Sequence, residues 1–120
     1  MTRILAVDDS PSMRDMVRIA LTDAGYEVTQ ATDGQEALDI ARQAPFDLVL
    51  SDVNMPRMNG IELIRALRSE GAYKHTPILM LTTESSVDRK REGKDAGATG
   101  WIVKPFDPEQ LVATMRRVLR

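Results

Sequence analysis

Short apolar runs alternate along the chain with longer stretches in which apolar residues recur every three or four positions, and the cycle repeats five times. Ile4-Leu5-Ala6-Val7 has no polar alternation and reads as a strand buried on both faces. Ser10-Pro11 then supply an N-cap and a first-turn proline. Met13, Met16, Val17, Ala20, Leu21 and Ala24 follow on one helix face, and Gly25 ends that helix. Residues 27–31 form a weaker, alternating strand. After Asp33-Gly34 comes a helix with Ala37, Leu38, Ala41 and Ala44 inward, stopped by Pro45.

The second half repeats the rhythm. Leu48-Val49-Leu50 is the third strand, and the turn-rich stretch 54–60 leads into a helix with Ile61, Ile64 and Leu67 in register. Pro77 introduces the fourth strand, Ile78-Leu79-Met80-Leu81. Residues 85–96 make the poorest helix, with Val87 as its large apolar residue and Gly93 costing about 1 kcal/mol against Ala. Trp101-Ile102-Val103 is the fifth strand, and Asp107 caps a last helix that buries Leu111, Val112, Met115, Val118 and Leu119. Met13, Met16 and Met115 are expected to be adaptable core packing.

Five strands alternating with five helices predict a doubly wound α/β domain, a parallel sheet covered on both faces by right-handed crossovers. The chain has 120 residues, 42% of them hydrophobic, and no internal repeat or linker, so one domain over 1–120 is expected, with no output domain. A formal net charge of -2 gives no basic face for nucleic acid. The apolar start at 4–7 is too short for a signal or membrane segment, and a cytoplasmic monomer is expected. Without cysteine there is no disulfide, thiolate metal site or Cys nucleophile. His75 is the single histidine, too few for a histidine metal site.

In open parallel sheets, ligands bind beyond the carboxyl ends of the strands. Here those ends carry Asp8-Asp9, Asp52, Thr82 and Lys104. Taken singly, each has a plain structural reading: acids at a helix N-terminus, a turn residue before Asn54 and Pro56, a capping run at 82–85, and a solvated lysine. Their convergence on one rim favours a chemical site. Three clustered carboxylates raise one another's pKa unless a cation shares the site, and all-oxygen ligation favours Mg²⁺. Lys104 and the Thr82 hydroxyl would then stabilise a transferring phosphoryl group on Asp52.

Two other motifs fail. Asp52-x-Asn54 begins like an EF-hand loop, but Pro56 stands where a third oxygen ligand belongs. Gly93-Lys94 lacks the upstream glycine and the following Ser or Thr of a P-loop.

The combination of Val7-Asp8-Asp9-Ser10, Asp33-Gly34-x-Glu36-Ala37-Leu38, Asp52-x-Asn54-Met55-Pro56, Asn59-Gly60, Thr82, Ala96-Gly97-Ala98 and Lys104-Pro105-Phe106 resembles bacterial two-component response-regulator receiver domains over essentially the whole chain. The single-domain chemotaxis members are the most similar. The resemblance implies strand order 2-1-3-4-5. It implies Asp52 as phosphoacceptor, and Asp9, Asp52 and the Asn54 carbonyl as Mg²⁺ ligands, with Asp8 binding through water. Thr82 and Lys104 would contact the phosphoryl group, and the Lys104-Pro105 bond would be cis. Trp101 occupies the switch position, usually Tyr or Phe, and would move from exposed to buried as Thr82 is drawn inward. Asn54 and Glu84 would tune the lifetime of the phosphorylated state.

The same resemblance implies a chemotaxis-type histidine kinase as phosphate donor and the flagellar motor switch as partner, bound on the face of the last two helices and the fifth strand. A phosphate sink or a phosphorelay carrier would use the same chemistry without motor contact. The heavily charged stretch 88–95 also has a plain reading as a solvated face. A haloacid-dehalogenase-type phosphatase uses Asp, Thr, Lys and Mg²⁺ too, but its nucleophile lies on the first strand in an Asp-x-Asp-x-Thr motif, which this chain lacks.

Overall fold

A computed structural model describes residues 1–83 and 87–119, apart from the side chain of Val87. The elements are β1 (Arg3–Val7), α1 (Pro11–Asp23), β2 (Glu27–Ala31), α2 (Gly34–Gln43), β3 (Leu48–Asp52), α3 (Gly60–Ser69), a 3-10 turn (Gly71–Tyr73), β4 (Ile78–Thr82), α4 (Val87–Ala96), β5 (Gly100–Val103) and α5 (Pro108–Val118). The five strands form one sheet in the order β2-β1-β3-β4-β5, with every pairing parallel. The expected architecture and strand order therefore hold. No helix among the described residues is long and apolar enough to cross a membrane.

The strand alternation divides the core in two. Leu5, Val7, Val49 and Met80 pack toward α2 and α3, whereas Ile4, Ala6, Leu48, Leu50, Leu79 and Leu81 pack with Val17 and Leu21 of α1 and Leu111 and Met115 of α5. Side chains along a strand point alternately to opposite faces, so strands covered on both sides must be apolar throughout. β1, β3 and β4 follow this along residues 4–7, 48–50 and 78–81, with Arg3, Ser51, Asp52 and Thr82 confined to the strand ends. β5 is an edge strand, and it exposes Trp101 and Val103.

Helix starts follow their local signals. Ser10 accepts a hydrogen bond from the Met13 amide, Asp33 from Glu36, and Asp107 from Glu109. Asn59 and Glu62 close a reciprocal capping box at α3. Two expectations need correction. Met16 is 47% exposed and is not core packing, because α1 buries only the narrow stripe through Val17 and Leu21. Gly93 is more than a weak point: it is buried against the Met80 side chain, where a Cβ would collide, so a charged helix can lie close on the sheet. The expected helix start at Ser85, and Glu84 beside it, lie outside the described residues.

The segment between α3 and β4 was not legible in advance. Tyr73 is buried, and its hydroxyl lies 2.7 Å from the Ala41 carbonyl and 2.8 Å from that of Ala44, so it caps the end of α2 from another element. Arg68 donates to the carbonyls of Tyr73 (2.8 Å), Thr76 (2.6 Å) and Gly97 (2.8 Å), tying this segment to the end of α4. Tyr73→Phe is expected to cost about 1–2 kcal/mol in urea denaturation, since it strands buried carbonyls, and to leave Mg²⁺ binding unchanged. Wild-type stability in that variant would rule out the capping role.

Candidate functional site

Four strand ends bring the predicted residues together. Asp8 and Asp9 follow β1, Asp52 ends β3, Thr82 ends β4, and Lys104 follows β5. The Lys104 amide donates to the Thr82 carbonyl at 2.8 Å, carrying the β4–β5 ladder one residue beyond the strand. The Lys104-Pro105 bond is cis, as the resemblance implied.

Lys104 is no solvated lysine. Its ammonium lies 2.9 Å from Asp8 Oδ2 and 3.3 Å from Asp52 Oδ1, and only 11% of the side chain is exposed. Asp8 is held from its other side, where Oδ1 accepts from the Ser10 amide at 2.9 Å. Asp52 Oδ1 accepts from the Val53 amide at 2.9 Å. Asp8, Asp52 and Thr82 are all buried, whereas Asp9 and Asn54 are exposed at the rim.

The electrostatics follow from this geometry. Burial, and then the neighbouring Asp8 charge, push the Asp52 carboxyl above its ordinary value, and Lys104 offsets only part of that. Burial by itself would depress Lys104. The hydrogen bond to Asp8 and the charges of Asp52 and Asp8 outweigh it, so the lysine sits above its ordinary value and is a cation at neutral pH.

A hard divalent cation fits these residues. Asp8, Asp9 and Asp52 each offer a carboxylate oxygen, all within 4.8 Å of one another. One ammonium among three carboxylates leaves negative charge uncompensated, and at Asp52 the Asp8 charge adds to the larger effect of burial. All-oxygen donors with open positions suit Mg²⁺ better than a softer metal.

Trp101 stands apart from the carboxylates on β5, 39% exposed, with the Lys90 ammonium of α4 5.2 Å from the ring centroid. Sequence reasoning missed two supports of the site. The Arg14 guanidinium donates to the Asp8 carbonyl at 2.8 Å. Arg57, in the loop after β3, pairs with Asp33 at the start of α2. The Asp33-Gly34 signature marked one half of that pair, but nothing local marks a partner 24 residues away.

Comparison with known proteins shows the family. A family model described as the response regulator receiver domain matches residues 4–116. The chain is similar to the structure of the Vibrio cholerae chemotaxis protein CheY4, with 59% identity, a TM-score of 0.95 and 98% of each chain covered. It is also similar to the response regulator MprA of Mycolicibacterium vanbaalenii, 47% identical over 118 residues. The DNA-binding dual master transcriptional regulator RpaA of Synechocystis is 39% identical over 120 residues. The chain spans about half the length of these curated relatives, covering 50% of each.

Proposed function

The chain belongs to the response regulator receiver family, a class of phosphoacceptor signalling domains, and from that premise we propose that Asp52 is the residue that accepts the phosphoryl group. The observation that carries this reading is the Lys104 ammonium lying between Asp8 and Asp52 where four strand ends converge. Receiver domains interact with a histidine kinase, so the donor is a kinase phosphohistidine. An Asp52 carboxylate oxygen attacks phosphorus, the P–N bond breaks, its electron pair returns to the imidazole, and an acyl phosphate forms.

Receiver domains generally bind Mg²⁺, and here Asp8, Asp9, Asp52 and the Asn54 carbonyl are the groups that would hold it. The ion supplies positive charge that lets an anionic phosphoryl group approach an anionic carboxylate. Burial keeps the Asp52 carboxylate poorly hydrated and anchored through its Val53 hydrogen bond. Lys104 can turn from the carboxylates to the phosphoryl oxygens, leaving Asp8 and Asp52 to the cation. The buried Thr82 hydroxyl, at the end of β4, meets the phosphoryl group from the neighbouring strand.

The output is a partner that binds one face more tightly in the phosphorylated state, since only differential affinity shifts a conformational equilibrium. That face is α4, β5 and α5. An open groove of about 630 Å³ runs beside Trp101, Val103, Pro105, Ala113 and Arg117. The likeness to CheY4 along 98% of both chains favours chemotaxis, with a flagellar motor switch as the partner. The likeness to half of MprA and RpaA favours a second reading, in which the same switch serves a transcriptional output. A phosphate sink or relay carrier would need neither.

Trp101 is the single tryptophan, so its emission reports the switch directly. Beryllofluoride with Mg²⁺, a mimic of the acyl phosphate, is expected to change Trp101 fluorescence in the wild type and not in Asp52→Asn. An unchanged wild-type spectrum under saturating ligand would remove Trp101 from the switch. An equal response in Asp52→Asn would remove Asp52 as the acceptor. Capture of a motor-switch protein only in the beryllofluoride state would support the chemotaxis output.

A further inference from the structure

We propose that Arg57 and Asp33 form a clamp that positions the loop after β3 for divalent-cation binding, a proposal that rests on the Asp52 reading above. Residues 53–59 link the acceptor strand to α3, and their first amide, that of Val53, orients the Asp52 carboxylate. Asn54, whose carbonyl would face the cation, comes next. A loop that carries both must be held still.

It is held at three points. The Gly60 amide donates to the Val53 carbonyl at 2.9 Å, closing the loop on itself. The Gly34 amide donates to the Met58 carbonyl at 3.0 Å, and a Cβ at Gly34 would collide with that carbonyl, so the loop and the start of α2 meet more closely than a side chain at position 34 would permit. Beside this contact, Arg57 donates to Asp33 Oδ2 through Nε at 2.9 Å and through Nη2. The other Asp33 oxygen, Oδ1, caps α2 by accepting from the Glu36 amide at 2.9 Å.

Arg57 is the one non-glycine residue among those described with a positive φ, 65°. That conformation disfavours most side chains and persists where the surroundings hold it. The Asp33 carboxyl is held below its ordinary value, first by its Glu36 hydrogen bond and then by Arg57. Asp33 is buried while the Arg57 side chain is largely exposed, so the clamp reaches over the α2 cap from the solvent side.

Removing Arg57 separates positioning from simple charge effects, because the two have opposite signs. Arg57→Ala deletes a positive charge and would tighten Mg²⁺ binding if electrostatics alone mattered; a positioning role makes the same change weaken it. By calorimetric titration of the full chain with Mg²⁺, Arg57→Ala is expected to bind about tenfold more weakly, the scale seen for groups that orient metal ligands. Arg57→Lys is expected to recover part of the loss. Asp33→Asn, which can still cap α2, should weaken binding to a similar degree, and the double variant no further than either single one. Mg²⁺ binding by Arg57→Ala as tight as the wild type or tighter, with Asp52→Asn binding none, overturns the clamp and leaves the site standing. Undiminished binding by Asp52→Asn overturns both.

Discussion

Asp52→Asn is expected to abolish phosphoryl acceptance outright and, in buffer freed of divalent cations, to raise the stability of the fold at pH 7. The first effect is the removal of the nucleophile, read as complete loss of label transfer from a phosphorylated histidine kinase. The second is less obvious and follows from the site's electrostatics. Burial and the Asp8 charge hold the Asp52 carboxyl above its ordinary value of 3.8. Between that value and the folded one, the folded chain binds more protons than the unfolded chain. Stability therefore falls as pH rises through this window and stays lower above it.

Asparagine does not titrate, so the advantage of the variant is present at neutral pH and vanishes below 3.8. Relief of one close like-charge contact is worth on the order of 1 kcal/mol. Mg²⁺ should invert the order, because it binds the folded wild type and stabilises it by about 2.7 kcal/mol at a hundredfold excess over Kd. Thermal melts at both pH values, with chelator or with Mg²⁺, distinguish these cases. An Asn variant that melts below the wild type in chelator at pH 7 would contradict this account of the site.

Lys104→Ala is expected to act in the opposite sense on stability and in the same sense on chemistry. It leaves Asp8 and Asp52 facing each other without the ammonium that now lies between them. Removing one partner of a largely buried ion pair leaves its counterpart uncompensated, and at this rim the expected cost is about 2 kcal/mol. The folded pKa of Lys104 lies above its ordinary value of 10.5, so its stabilisation is fully present below that value and is lost as pH rises through the folded one. Wild type and variant should thus converge in strong alkali.

Mg²⁺ should restore the stability of Lys104→Ala, since a divalent cation replaces the missing charge. It should not restore phosphoryl transfer, expected to fall on the order of 100-fold without a group to meet the phosphoryl oxygens. If Mg²⁺ recovers both, Lys104 is a counter-ion only.

These two residues also show how much of the molecule was legible in its amino-acid order. The three carboxylates, the threonine and the lysine are separated by up to 96 positions, yet their order along the chain already placed them at strand ends. Each follows or ends a short apolar run, and in a parallel sheet all run ends lie at one edge. Periodicity therefore located the rim, and clustered charge implied a cation. Met16 misled because its spacing fits the helix period while the buried stripe of α1 is narrower than that period admits.

Sequence by itself determined the alternation of strands and helices, the caps at Ser10 and Asp107, and which polar residues stand at the strand ends. All of these depend on residue type within a few positions of the backbone they act on. Only the tertiary structure decided that Arg57 reaches Asp33, that Tyr73 caps α2, that Arg68 gathers carbonyls from two segments, and that Gly93 lets a charged helix rest on Met80. Such pairings join residues whose distance along the chain carries no period. They become visible only when close packing of the sheet and its two helical layers brings the partners within hydrogen-bonding or van der Waals reach.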